Sequence, residues 1–462
     1  MNKHVTIKKA LDAYDPRFDP LVQPTPGHNQ DYAPTYWVAH GGDAPQDDGP
    51  VMQDMDVDVA IIGSGFTGLA CAVFLAQEHG IKAHVLEANQ VSWGCTSRNG
   101  GQAQNNSGRL KRSQWIKQWG LETALKLHKD IEEGFETFEE LIKDIDCDAV
   151  NAGHLYVAHR PKVLKTLEAE VELMNKTFGY KSRMVSKAEL HSDWVKEANG
   201  HGAMLEPTGI GVQPVKVAYG YHRKARALGA KIHTSSPVEG WETINGVHHL
   251  RTPGGIVRAR AVAVATGGYT TQTLHKSLKN RFMPIMSNNM VTRKLSDAEV
   301  EACGFKSNII MTDTRTLRHY YRLLPDQRLQ IGSRSAITGA DAGNRKHFER
   351  LVAGKDAKFP ALKGIDIDYS WWGWVDVSHD MMPRIFQPNA QEQIFYALGY
   401  GGNGVMSSAH AGRRMAQLVA GKPIPKELPI YNSPLPYEVF APFRRIGQRM
   451  LYVWYGLRDN YL

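Results

Sequence analysis

The chain has 462 residues, 42% of them hydrophobic, with a formal net charge of +8 and a sequence pI near 9.1. That length allows about three domains, and no apolar run approaches the ~20 residues that a membrane-spanning helix requires. Lys and Arg are scattered rather than gathered on a basic helix, and no aromatic RNA-binding motif accompanies them. Nucleic acid is therefore not an expected partner, and an anionic small molecule or simple solubility accounts for the charge. The opening residues, MNKHVTIKKALDAYDP, lack the apolar core of a signal peptide, so nothing is expected to direct export. Cys71, Cys95, Cys147 and Cys303 have no metal-ligand spacing. Packing cysteines in a reduced, cytoplasmic protein are the expectation, with no metal and no membrane.

In chain order, residues 1–53 are rich in Pro, Asp, Gly and Gln and read as an irregular arm that wraps the core, partly ordered around Tyr36 and Trp37. Val59 to Ile62 reads as a buried strand, followed at once by Gly63, Gly65 and Gly68 in the sequence GSGFTG. Gly63 makes a tight turn, Gly65 admits a pyrophosphate to the backbone, and Gly68 lets the next helix pack on the strand. That helix runs from Leu69 to His79 and stops at Gly80; Lys82 to Leu86 is a second strand, delivering Glu87 to a ribose diol about 20 residues after the last glycine. Strand, helix, strand and acid together specify a dinucleotide site, with the phosphates at the helix N-terminus.

Across Ser113 to Asp144 and on to Ile145, the apolar positions Trp115, Trp119, Leu125, Ile131, Phe135, Phe138, Leu141 and Ile145 recur at spacings of three, four or six residues, which predicts a long amphipathic helix. A strand at 154–158 and a helix from Pro161 to Thr177 follow; Val212 to Leu228 is a helix, and Lys231 to Thr234 and Val262 to Ala265 are strands. Residues 280–378 mix short strands with turns, and Ile394 to Val419 supplies a last strand, a glycine loop and a helix. The loop Gly401 to Gly404 would aim backbone N–H groups and a positive helix end at a developing negative charge.

Two further glycine clusters, VAVATGG at Val262 to Gly268 and FYALGYGGNGV at Phe395 to Val405, accompany GCTSRNGGQ at Gly94 to Gln102. With these the chain resembles the flavin-dependent glycine/D-amino acid oxidase family, from about Tyr36 to the C-terminal tail, and within it the gamma-glutamylputrescine oxidase-like proteins. The resemblance implies an α/β fold in which a Rossmann-like FAD-binding lobe (54–110, 206–279 and 379–425) interleaves with an α+β substrate lobe on a mixed sheet (111–205 and 280–378), followed by a tail at 426–462. It implies non-covalent FAD held by Gly63, Gly65, Phe66, Thr67, Gly68, Glu87, Ser97, Arg98, Asn99, Gly100, Val238, Thr266, Gly267, Gly402, Asn403, Gly404 and Val405. It also implies oxidation of a secondary amine or amino acid, such as a gamma-glutamyl amine or an N-substituted glycine like sarcosine or iminodiacetate. The imine would be hydrolysed and O2 reduced to peroxide, in a monomer or small homo-oligomer. A dehydrogenase passing electrons to a quinone or carrier, and a non-catalytic flavin-binding protein, are the alternatives.

Substrate contacts are expected from DTRTLRHYYRLLPDQRLQIGSR, residues 313–334, whose arginines suit a carboxylate. Tyr321, Arg322 and Gln330 are the catalytic candidates, with Arg322 the first choice for the carboxylate; Arg318, Tyr320 and Trp374 are the substrate-binding ones. As a strand, this segment puts Tyr320 and Arg322 on one face and His319 and Tyr321 on the other. Tyr369 to Trp374, YSWWGW, reads first as packed aromatics. Gln330 and Met406 stand where sarcosine oxidase-like members carry lysines, and no His is present in Gly94 to Gln102 for covalent attachment of the ring.

Overall fold

A computed structural model describes residues 18–460. Strand β1 (Met55–Ile62) becomes wholly buried over its last four residues because it lies inside a parallel array, with helices packed on the face of Val59 and Ile61 and strand and loop side chains such as Leu250, Leu278 and Leu435 on the face of Ala60 and Ile62. It pairs in parallel with the strand Gly255–Val264 on one side and with β2 (His84–Leu86) on the other, and β2 pairs in parallel with Lys231–His233. Gly255–Val264 is long enough to serve two neighbours along its other edge. Its first half pairs antiparallel with Val247–Thr252, and its last residues pair in parallel with Ile394–Leu398. The parallel strands thus end together at Ile62, Leu86, Val264 and Leu398, the edge at which open α/β sheets bind ligands.

Helix α1 (Phe66–His79) is buried at every position from Phe66 to Leu75, since further helices pack over it. Gly80, at φ 66°, ends it in the left-handed conformation. A second, mixed sheet of eight strands runs in the order 367–378, 282–292, 329–333, 320–323, 310–313, 154–157, 203–206, 183–185. Only the 310–313/154–157 pairing is parallel. A small three-stranded sheet, Gln102–Gln104, Gly209–Gly211 and Val150–Asn151, completes the structure. The expected mixed α/β architecture is what the chain adopts.

Helix α2 (Arg112–Ile142) departs from its periodicity-based reading in two ways. Gly120 has non-helical dihedrals (φ 81°, ψ 165°) and breaks the phase, so Ala124 and Leu127 face inward while Leu125, expected in the core, is 39% exposed. Its inner face, with Trp115, Phe135 and Phe138, joins the core of the first sheet's helices. It therefore packs with the dinucleotide layer, although its sequence position lies inside the segment 111–205 expected to build the substrate lobe. The arm does wrap the core: Asp48 pairs with Arg226 and accepts from the Ile232 backbone, and the Trp37 indole donates to the Asn99 carbonyl (2.7 Å). The part of the arm before Phe18 lies outside the described residues.

Candidate functional site

An elongated cleft opens at the carboxyl edge of the first sheet and runs on beneath the second, with about 1820 Å³ of unfilled space including solvent at its mouth. At one end the chain offers backbone and vacancy rather than side chains. A Cβ on Gly68 would stand 1.9 Å from the Gly63 carbonyl oxygen, and one on Gly63, itself at φ 103°, would stand 2.8 Å from the Ala265 oxygen. Both glycines are thus fixed by packing of helix and neighbouring strand against the turn. Gly68 itself does not line the cleft; Gly63, Gly65, Phe66 and Thr67 do. Glu87 lies at the end of β2, its carboxylate accepting from the Ser64 hydroxyl (2.7 Å), the Ser64 N–H (2.9 Å) and the Asn89 N–H (3.2 Å). Burial pushes its carboxyl above the usual range, against these hydrogen bonds. Val238, Thr266 and Gly267 line the same end.

The loop 94–102 crosses the middle. Arg98, Asn99 and Gly100 line the cleft, but Ser97 does not: its hydroxyl turns back to the Trp93 carbonyl (3.1 Å). The Asn99 side chain likewise closes its own loop, donating to Thr96 O (2.9 Å) and accepting from the Gly101 N–H (2.8 Å). Arg98 lies over the Trp93 ring at 4.4 Å and donates from Nε to the Trp93 carbonyl (3.1 Å). Opposite stand Gly402, Asn403, Gly404 and Val405, at the N-terminus of α3 (Gly404–Val419). No side chain caps this terminus, because the Asn403 amide donates to the Gly108 carbonyl instead. Its free N–H groups face the cleft, a preformed site for negative charge. The glycine cradle, the buried acid and this open helix end fit FAD. The Cys95 thiol, beside the loop, is pushed up to about 12, first by burial and then by Asp376.

The far end is where the expected substrate residues divide. Tyr320 lines the cleft, packs against Gly100 and hydrogen-bonds Ser287 and Asn289, both at 2.9 Å. Arg318 and Arg334 line it too. Arg322, on the same strand face as Tyr320, does not. The small sheet lies across it, its guanidinium donates to the Val212 carbonyl (2.6 Å) over the Trp37 ring, and burial pushes it down to about 10. Tyr321 faces the opposite side of the sheet, where its hydroxyl donates to buried Glu197 and Lys358 stands 4.6 Å from its ring. Gln330 is fully buried and donates to Asn289 (2.6 Å). Trp374 points away to the Phe18 carbonyl (2.9 Å); from that aromatic run only Gly373 reaches the cleft. Arg315 pairs with Asp313, and Arg328 with Asp326 and Asp368.

Arg109, absent from the expected set, joins Arg318 and Arg334 at this end. Its Nη1 donates to the Gly401 carbonyl (3.0 Å). Burial, and then the guanidinium groups of Arg334 and Arg318, hold it well below its usual pKa. None of the three forms an ion pair with a carboxylate among the described residues, so three mutually repelling cations converge on open space. No spacing rule could have found Arg109, which the fold carries in from the segment after the glycine loop.

A model of the family described as DAO, FAD dependent oxidoreductase, matches residues 58–418. Gamma-glutamylputrescine oxidoreductase of Escherichia coli (strain K12) is 32% identical over 420 residues, 88% of this chain and 94% of that protein. Among solved structures, glycine oxidase from Geobacillus kaustophilus superposes with a TM-score of 0.70 at 20% identity, covering 83% of this chain and all but 1% of its own, 99%. Iminodiacetate oxidase from Chelativorans sp. BNC1 gives 0.66 at 18% identity, covering 81% and 100%.

Proposed function

The chain belongs to the DAO family of FAD-dependent oxidoreductases, and on that premise we propose that it oxidises the C–N bond of a secondary amine or amino acid that carries carboxylate. A gamma-glutamyl amine, or an N-substituted glycine such as sarcosine or iminodiacetate, has the required groups. The observation that carries this reading is the trio Arg109, Arg318 and Arg334, unpaired with any described carboxylate and facing the loop before α3. A planar guanidinium matches a carboxylate through two N–H donors, and a second carboxylate would relieve the remaining repulsion. Bound FAD supplies the two-electron acceptor. The protein's part is to hold the amine by its anionic end, exclude water with Tyr320 and the loop 94–102, and offer the α3 N–H groups to negative charge that develops on reduction. The carbon gives up a hydride equivalent, the nitrogen loses a proton, and water hydrolyses the resulting imine to an aldehyde or oxo acid and an amine. The two electrons and two protons removed from the amine then pass to O2, giving H2O2.

Anaerobic mixing of the holoprotein with a panel of amines and amino acids, read by loss of flavin absorbance, tests the substrate class. Bleaching by gamma-glutamyl amines or N-substituted glycines, and not by their decarboxylated analogues, is the expected result; bleaching by uncharged amines alone contradicts it. A second reading, a dehydrogenase that feeds a quinone or carrier, is favoured by one observation: no lysine lines the cleft among the described residues. Stoichiometric peroxide release in air supports the oxidase, and turnover only with an artificial acceptor supports the dehydrogenase.

A further inference from the structure

The C-terminal helix α4 (Arg444–Asn460) is amphipathic the wrong way round for a solvent-facing element. Its inner face is polar: Gln448 and Asp459 are buried, Asp459 accepts from the Thr316 and Leu317 N–H groups, and Arg445 pairs with Asp19. Its outer face is apolar. Ile446, Met450, Val453, Trp454 and Leu457, spaced by three or four residues apart from the adjacent Val453 and Trp454, are between 47% (Leu457) and 69% (Met450) exposed. At 100° per residue they share one stripe, which Phe443 extends by a turn at 63% exposure. Arg449 and Arg458, both exposed, fall on opposite borders of that stripe, and no acidic side chain is exposed on the helix from Arg444 to Asp459. An apolar face of this length is not kept in water without a partner.

We propose that α4 docks on an anionic lipid surface, lying in the plane of the headgroups with the stripe among the acyl chains. The charge distribution chooses this occupant. Arg449, on one border of the apolar stripe, can extend to lipid phosphates while its stem stays among the apolar side chains; Arg458, on the other, donates to the Thr316 hydroxyl and adds its positive charge to that edge. A second copy of the chain packed stripe to stripe would instead offer these arginines no exposed acid from its own helix. Docking of this kind needs no spanning helix, and none of the described helices is long and apolar enough to span. On its inner face α4 contributes Gly456 and Asp459 to a small cavity that Arg334 of the substrate end also lines, so the docked surface backs onto the cleft wall.

Co-sedimentation of the FAD-loaded protein with mixed phosphatidylcholine–phosphatidylglycerol vesicles tests this, with phosphatidylcholine vesicles as control and light scattering for the oligomeric state. The protein should pellet with the mixed vesicles and stay in solution with the neutral ones. Met450→Asp combined with Val453→Asp, both on the exposed face, should weaken partitioning by about a hundredfold while flavin content and solution activity are retained. Arg449→Gln should weaken it about fivefold, and added salt should act in the same direction. Absence of vesicle binding overturns the proposal, as does binding that survives the double variant or is equal on neutral lipid. A dimer dissolved by the double variant, with no vesicle binding, would assign the stripe to a second copy.

Discussion

The two ends of the cleft recognise their ligands by opposite means. At the β1–α1 end the chain works by withholding atoms. Gly63, Gly65 and Gly68 leave room for phosphate and for helix packing, and the carboxylate of Glu87 is held in place by Ser64 and Asn89. At the far end it works by extending atoms. Arg109 reaches in from one segment and Arg318 and Arg334 from the two ends of another, 313–334, and their charges repel until an anion joins them. Adding a methyl group should therefore be ruinous at one end, and removing a guanidinium costly at the other.

The largest effect expected is from Gly68→Ala. The new Cβ would meet the Gly63 carbonyl oxygen at 1.9 Å, a backbone atom that cannot step aside, so α1 must move off the turn. A loss of roughly 3 kcal/mol or more and of flavin retention should follow, read from the melting temperature and the flavin-to-protein absorbance ratio. Gly65→Val should lose flavin with a smaller loss of stability, since its Cβ meets only the Thr96 hydroxyl, at 3.0 Å. Next come the arginines. Arg334→Ala and Arg109→Ala should raise KM for the best anionic substrate by roughly ten- to a hundredfold with flavin content unchanged. Arg322→Ala should do the reverse, lowering the melting temperature and leaving KM in place. If Arg322→Ala raised KM while Arg334→Ala did not, the division of the cleft drawn above would be wrong.

A smaller effect belongs to neither end. Burial lowers His128 to about 3, and His159, His222 and His275 to about 4. Because these folded-state values lie below the unfolded value of ~6.5, the unfolded chain takes up protons first as pH falls. Stability should hold above pH ~6.5 and decline toward pH ~4. His128→Gln should flatten that decline by up to about 1 kcal/mol per pH unit, in unfolding experiments on the holoprotein, without moving KM. The smallest effect expected is none. Acid precipitation should leave the FAD in the supernatant, and Cys95→Ser should change nothing, since a thiol pushed up to about 12 is not a nucleophile at neutral pH. Flavin in the wild-type pellet that moves to the supernatant in Cys95→Ser would reverse this.

The sequence by itself determined the glycine turn and the acid of the dinucleotide end, because these lie within about 30 contiguous residues and depend on local rules, although Val238, Thr266 and Gly267 join them from far along the chain. An apolar strand, glycines at fixed offsets, a helix that stops at Gly80 and an acid after the second strand each have a local physical reason. Strand alternation also correctly separated Tyr320 from Tyr321. Only the tertiary structure decided the substrate end. Whether Arg322 or Arg334 sees the cleft depends on the strand Gly209–Gly211 lying over one and not the other, and Arg109 arrives from a segment with no periodic signal. The phase of α2 turned on Gly120 adopting a non-helical conformation, which residue type alone does not specify. Backbone recognition is written in local spacing, whereas a side chain's access to a ligand is set by what packs across it from far along the chain.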